Sequence, residues 1–310
     1  MLAKCLRVGQ TIGVVSPASP VKPDVLDRGI AKLENLGFKV KVGKYAYARH
    51  GYLAGSDRER AEDLNRMFVD TDVDAIVCSR GGYGTPRILR YLDYEAIAQN
   101  PKVFVGFSDI TALHVAIRQR TGLVTFHGPM VASDFSQPHV DDYNWPWFQK
   151  AVMQVAPLGR IAMPTQLPAA ECIVPGQASG ELIGGNLSLV AATMGSPYQL
   201  DPTDKIILLE EVGEEPYRVD RMLTQLELAG FWQRAVGLIV GETVGCEPSN
   251  PENPSLMAVL KDKLGRLPIP VLYGLPLGHG DRKATIPEGI RASLDAEQCL
   301  LSIEEAAVKD

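Results

Sequence analysis

The sequence predicts an α/β protein built as two lobes, and two observations carry that expectation. Short, continuous apolar runs alternate with amphipathic helical stretches in both halves of the chain. Between the halves, over residues 148–179, the periodicity lapses, and Pro157, Pro164, Pro168 and Pro175 fall among scattered glycines. The expected division is therefore 1–147, a crossover or linker at 148–179, and 180–310.

The elements follow in order. Thr11–Ser16 reads as a strand, and a helix from about Pro23 to Leu36 stops at Gly37. A second strand covers Lys39–Lys44. Ser56 and Glu59 form a capping box ahead of a helix reaching about Phe68. Ala75–Ser79, Val103–Phe107 and Val124–Phe126 complete the strands of the first lobe. Apolar strands separated by helices imply a parallel sheet covered on both faces, a flavodoxin-like arrangement. In the second lobe Ile206–Leu209, Ala235–Val240 and Val271–Tyr273 read as strands. Helices are expected around Val219–Leu228 and Leu256–Leu264. A β-hairpin, Ile290–Leu294 with Cys299–Ile303, turns at Asp295-Ala296-Glu297.

Bulk properties exclude several function classes. The chain has 310 residues, 45% of them apolar, enough for two cores. Its net charge of -6 comes from 31 basic and 37 acidic residues spread along the chain. No basic stripe speaks for nucleic acid or an anionic membrane, and no transmembrane run or signal peptide is read. Five scattered cysteines, Cys5, Cys78, Cys172, Cys246 and Cys299, contain no C-x-x-C pair. They fit reduced thiols in a cytoplasmic protein without zinc or disulfides. With no H-x-x-H or H-E-x-x-H pair, no metal and no cofactor are expected.

Ser108 is the residue that most invites a chemical role. Gly106-Phe107-Ser108-Asp109-Ile110-Thr111 joins a buried strand to a helix, the setting of a nucleophile elbow, although Ile110 stands where G-x-S-x-G has its second glycine. The same position suits a serine acting only as a helix cap. A serine nucleophile needs a base, and five histidines are available: His50, His114, His127, His139 and His279. His279 lies between Gly278 and Gly280 just beyond a strand, which lets an imidazole project into a cleft. His127 also ends a strand, whereas His114 falls on the helix after Ser108 and reads as structural. Glu210 and Glu211 end an apolar strand, where a buried carboxylate demands a partner. Strand alternation sends the two to opposite faces, so only one can orient the base. Arg80-Gly81-Gly82-Tyr83-Gly84 follows another strand and lacks the spacing of a phosphate loop. It could lend a backbone N–H to an oxyanion or cradle a carboxylate. Gly184-Gly185-Asn186 reads as a tight turn.

Taken together, Ser79-Arg80-Gly81-Gly82-Tyr83-Gly84, the Ser108 segment, Thr125-Phe126-His127-Gly128-Pro129, Leu209-Glu210-Glu211-Val212-Gly213-Glu214, Tyr217-Arg218-Val219-Asp220-Arg221-Met222-Leu223 and Gly278-His279-Gly280 resemble the LD-carboxypeptidase family of serine peptidases, which includes microcin C immunity peptidases. The resemblance implies a Ser108–Glu210–His279 triad divided between the lobes. It also implies an oxyanion hole from the N–H groups of Asp109 and Gly82. Arg80, a guanidinium beside the glycine turn, is the candidate to hold a substrate carboxylate, and Tyr83 and His127 are expected to line the same cleft. The implied reaction is hydrolysis of the L–D bond between meso-diaminopimelate and the terminal D-alanine of murein tetrapeptides, in cytoplasmic wall recycling by a homodimer. Two alternatives remain: an immunity-type peptidase acting on aminoacyl-nucleotides, for which Trp145, Trp147 or Trp232 could offer a platform, and a non-catalytic muropeptide sensor.

Overall fold

In a computed structural model the whole chain, residues 1–310, is described, the side chains of residues 139 and 141 excepted. His139, one of the five histidines considered, therefore lies outside the described side chains. The chain divides into two compact units that do not follow its linear order. One comprises Met1–Ala156, Ala284–Gly289 and Ala306–Asp310, and the other Pro157–Lys283 and Ile290–Glu305.

The first unit holds a six-stranded sheet. Its strands lie in the spatial order Ile286–Glu288, Thr125–His127, Val103–Gly106, Ala75–Cys78, Thr11–Val15 and Lys39–Val42. All neighbours are parallel except the first pair. Numbered along the chain, the five parallel strands run 2-1-3-4-5, the doubly wound order expected of a flavodoxin-like lobe. The middle strands are wholly buried because helices cover both faces. The first helix spans Pro23–Asn35, with proline in its first turn. The second, Asp57–Val69, begins at the reciprocal Ser56–Glu59 capping box. The strand order reverses between Thr11–Val15 and Ala75–Cys78, and there Ser16 Oγ and Ser79 Oγ lie 2.7 Å apart, with Ser16 donating to Ala46 O.

The second unit holds an eight-stranded sheet. Four parallel strands, Gln177–Asn186, Lys205–Val212, Gly237–Val244 and Val271–Tyr273, form its middle. The predicted hairpin, Ile290–Asp295 with Leu300–Ala306, extends this sheet antiparallel to Gln177–Asn186. Helices Leu187–Ala192, Pro216–Leu228 and Leu256–Leu264 complete the unit.

The expected linker at 148–179 is ordered structure. It holds the end of the helix Asn144–Met153, strands Pro157–Arg160 and Glu171–Val174, and the start of Gln177–Asn186. Pro157–Arg160 and Glu171–Val174 are the two edge strands of their sheet. An edge strand tolerates proline and needs no strong alternation, so proline-rich sequence concealed it. The unit boundary falls accordingly at Ala156, beyond the predicted 147, and the last residues pair Val308 with Ala3 in the first unit. No helix among the described residues is long and apolar enough to cross a membrane.

His114 is structural, as its position on the helix suggested. It is wholly buried, 2.8 Å from Gly106 O through Nε2 and edge-on to Phe104. Burial drives its pKa down to about 4, against a smaller upward pull from Gly106. Because the folded value lies below the unfolded one, the unfolded chain gains a proton first on acidification. Stability is thus lost as pH falls from about 6.5 towards about 4. Denaturant titrations of wild type and His114→Gln, which keeps a donor for Gly106, should diverge. Wild type should lose about 2–3 kcal/mol more than the variant between pH 7 and 4.5; equal losses would contradict the assignment.

Candidate active site

In the first unit the chain leaves Val103–Gly106 through Phe107 in extended conformation and enters Ser108 at φ +66°. A β-carbon in the left-handed region costs energy, and such strain in a serine between strand and helix is the signature of an elbow. The departure from the two-glycine pattern has a steric reason. A β-carbon at Gly106 would meet the Ile110 side chain at 2.9 Å, so glycine at the first position makes room for isoleucine at the fifth.

Gly81 meets the elbow directly. A β-carbon there would lie 2.8 Å from Ser108 Cβ, 2.9 Å from Ser108 Oγ and 3.1 Å from Asp109 N. The turn is held in this position by the Asp109 side chain. Asp109 is buried, accepts from Thr85 N at 2.8 Å, and its carbonyl accepts from the Thr85 hydroxyl. Burial pushes its carboxyl pKa up, and the Thr85 bonds oppose that shift. Arg60, also buried, donates to Pro17 O and Gly84 O and pairs with Asp57 at 2.6 Å. The sequence pointed to the Asp109 backbone alone. The lock formed by its side chain with Thr85 and Arg60 left no motif to find, because its members are far apart in the chain.

Gly82 adopts φ +115°, and Tyr83 N donates to Ser19 Oγ at 3.1 Å. The Tyr83 ring is exposed and edge-on to Tyr52. Arg80 is exposed, with no ion pair among the described residues. His127 corrects an expectation. Its side chain is wholly buried against Phe107 and 4.0 Å from the equally buried Glu288 carboxylate, so it offers no surface to a substrate. The strand Ile286–Glu288, unread in the sequence, brings Glu288 there by pairing Ile286 with His127.

In the second unit His279 Nδ1 lies 2.6 Å from Glu210 Oε2. This contact directs the imidazole's other nitrogen, Nε2, away from the carboxylate. Glu210 is fully buried; desolvation raises its pKa, His279 lowers it, and neighbouring Glu211 raises it again. Glu211 points elsewhere, as strand alternation requires. It accepts from Asn186 Nδ2 at 2.9 Å, Ser188 N at 2.9 Å and Ser188 Oγ at 2.7 Å. Gly184-Gly185-Asn186 is therefore no isolated turn. It ends a strand and caps the next helix, with Asn186 Oδ1 accepting from Leu189 N.

The glycines beside His279 are there for carboxylates. A β-carbon at Gly278 would reach Glu210 Oε2 at 2.9 Å, and one at Gly280 would reach both Glu242 carboxylate oxygens at 2.2 Å. Glu242, which sequence reasoning passed over, has its pKa raised to about 7, chiefly by burial and against the pull of Lys283. Lys283 Nζ in turn donates to Gly280 O at 2.9 Å.

Residues 12–128 match the family model for the LD-carboxypeptidase N-terminal domain and residues 179–294 that for the C-terminal domain. A probable murein peptide carboxypeptidase of Bacillus subtilis is 42% identical over 302 residues, covering 97% of this chain and 93% of its own. Among solved structures, MccF in complex with glutamyl sulfamoyl guanosine superposes with a TM-score of 0.92 at 27% identity, covering 99% of both chains. The muramoyltetrapeptide carboxypeptidase of Oxalobacter formigenes gives 0.84 at 31% identity, covering 96% of this chain and 99% of its own.

Gly81→Ala tests the elbow. Gly81 does not occupy the left-handed region, so alanine meets only the steric conflict with Ser108. Labelling of Ser108 by a fluorophosphonate should slow about 100-fold, as expected for a misplacement of about 1 Å. The melting temperature should change little, and an unchanged labelling rate would refute the tight fit.

Proposed function

The chain belongs to the LD-carboxypeptidase family and is a serine-type carboxypeptidase; from that premise we propose that it releases the terminal D-alanine of murein tetrapeptides. The bond broken is the amide between the L-centre of meso-diaminopimelate and D-alanine, and the setting is the recycling of wall fragments in the cytoplasm.

The observation that carries this reading is the 2.6 Å contact between His279 Nδ1 and buried Glu210. A carboxylate accepting from Nδ1–H fixes the tautomer in which Nε2 carries no proton and can accept one, and it stabilises the imidazolium that forms next. In the proposed mechanism His279 Nε2 takes the Ser108 proton as Oγ attacks the carbonyl carbon. The N–H groups of Asp109 and Gly82 receive the developing oxyanion. Collapse of the tetrahedral intermediate breaks the C–N bond, and His279 returns its proton to the leaving amine of D-alanine. Water, deprotonated by His279, then cleaves the acyl-enzyme and regenerates Ser108. Arg80, exposed beside the Gly81–Gly82 turn, supplies a cation for a substrate carboxylate.

The likeness to MccF keeps a second substrate class in view, aminoacyl-nucleotide analogues of the kind bound in that structure. The tryptophans give this alternative little support. Trp232 is buried against Phe231, and Trp145 stacks on Phe148 within a cluster that includes Phe38 and Phe135. Trp147 packs beside Tyr143 with Lys150 over its ring.

Mass spectrometry of the tetrapeptide L-Ala–D-Glu–meso-diaminopimelate–D-Ala incubated with the protein should show D-alanine released by wild type and not by Ser108→Ala. Glu210→Gln should lower kcat by about three to four orders of magnitude, since an amide can hold the wrong tautomer. If wild type instead cleaves glutamyl sulfamoyl guanosine and spares the tetrapeptide, the substrate assignment falls.

A further inference from the structure

Where the strand order of the first unit reverses, the loops after Thr11–Val15 and Ala75–Cys78 part and leave a cavity of about 280 Å³. Crevices beyond the carboxyl ends of strands at such a switch point are where doubly wound sheets bind ligands. Lys22 comes from the first loop and Arg80 from the second; Ser133, in the short helix Val131–Phe135, and Gln137 just after it supply neutral polar groups. Val21 and Ala132 contribute an apolar lining.

The charge of this cavity is unbalanced. Among the described residues no acidic side chain lines it, and neither Lys22 nor Arg80 forms an ion pair. Nearby carboxylates are engaged elsewhere. Asp24 pairs with Arg28 at 3.0 Å, Asp27 accepts from Tyr47, and buried Asp134 accepts from Met130 N at 2.9 Å. Two unopposed cations in a chain of net charge -6 mark a place for an anion. The apolar lining adds room for a short hydrocarbon stem. Arg80 links this cavity to the proposed reaction centre: it precedes Gly81, which packs against Ser108, and its Nη2 would lie 3.7 Å from a β-carbon at Gly82.

We infer that the Lys22–Arg80 cavity is a substrate subsite for a carboxylate carried on a short aliphatic stem. Arg80 presents a planar fork to the carboxylate, Lys22 a point charge, and Ser133 with Gln137 completes its hydrogen bonding. The inference rests on the proposed peptidase reading for its substrate, and the tetrapeptide offers three such carboxylates: the α-carboxylate of D-glutamate, the distal carboxylate of diaminopimelate and the C-terminus.

Steady-state kinetics with four substrates separate these sources. They are the tetrapeptide, its D-isoglutamine analogue, its L-lysine analogue lacking the distal carboxylate, and its C-terminal amide. Lys22→Met should raise KM for the tetrapeptide about 10-fold or more, and Lys22→Arg should restore it. For the one analogue that lacks the occupant carboxylate, wild type and Lys22→Met should share the same KM or the same loss of turnover. An equal rise in KM for all four substrates, or none, would overturn the inference while D-alanine release left the peptidase reading standing. Glutarate binding to Ser108→Ala protein, followed by NMR, reads the site without turnover. Loss of that binding in Ser108→Ala/Lys22→Met supports the subsite even if no tetrapeptide is cleaved, and undiminished binding refutes it.

Discussion

A carboxylate buried at the end of a parallel strand is the constraint that organises the second unit. Glu210 has lost its water entirely, and an ionised carboxylate so placed persists only with a partner. His279 is that partner, and the loop carrying it pays a steric price. Gly278 must approach the Glu210 carboxylate too closely for a side chain, and Gly280 must do the same for Glu242. The adjacent Glu211 would compete for the same histidine if it were not on the other face, bound by Asn186 and Ser188. Two neighbouring acids thus acquire different principal partners, His279 for Glu210 and Ser188 for Glu211, as strand alternation turns their side chains apart.

The first unit solves a different problem, holding a serine in a conformation that its β-carbon disfavours. Strain of this kind survives only where surrounding structure over-determines it. Here the determination is mutual: Gly81 fits against Ser108, Asp109 holds Thr85, and Arg60 ties Gly84 to Pro17. The glycine-rich turn and the elbow therefore form one rigid body on the carboxyl ends of adjacent strands. In the proposed mechanism, N–H groups preorganised on such a body would stabilise developing charge without reorganising when it appears.

Much of this architecture was legible in the chain. The strands Thr11–Val15, Ala75–Cys78 and Val103–Gly106 are uninterrupted apolar runs because helices bury both their faces, and burial is written in composition. The Ser56–Glu59 box is local chemistry three residues apart and needs no tertiary information. Edge strands lack both signals. Glu171–Val174 is half-buried throughout, and Pro157–Arg160 opens on proline, so both read as linker. His127 misled for a related reason: its place at a strand end is visible in sequence, whereas the Glu288 strand that buries it arrives from more than a hundred residues away.

The sequence by itself determined the alternation of strands and helices, the ordered motifs that identify the family, and the opposition of Glu210 and Glu211. Each follows from spacing along the backbone and from the residue types that spacing carries. Only the tertiary structure decided which carboxylate meets His279, why glycine stands at positions 81, 278 and 280, and that Lys22 and Arg80 share a cavity. Those outcomes depend on distances between segments remote in the chain, and side-chain chemistry is blind to such distances until strand order and register have set them.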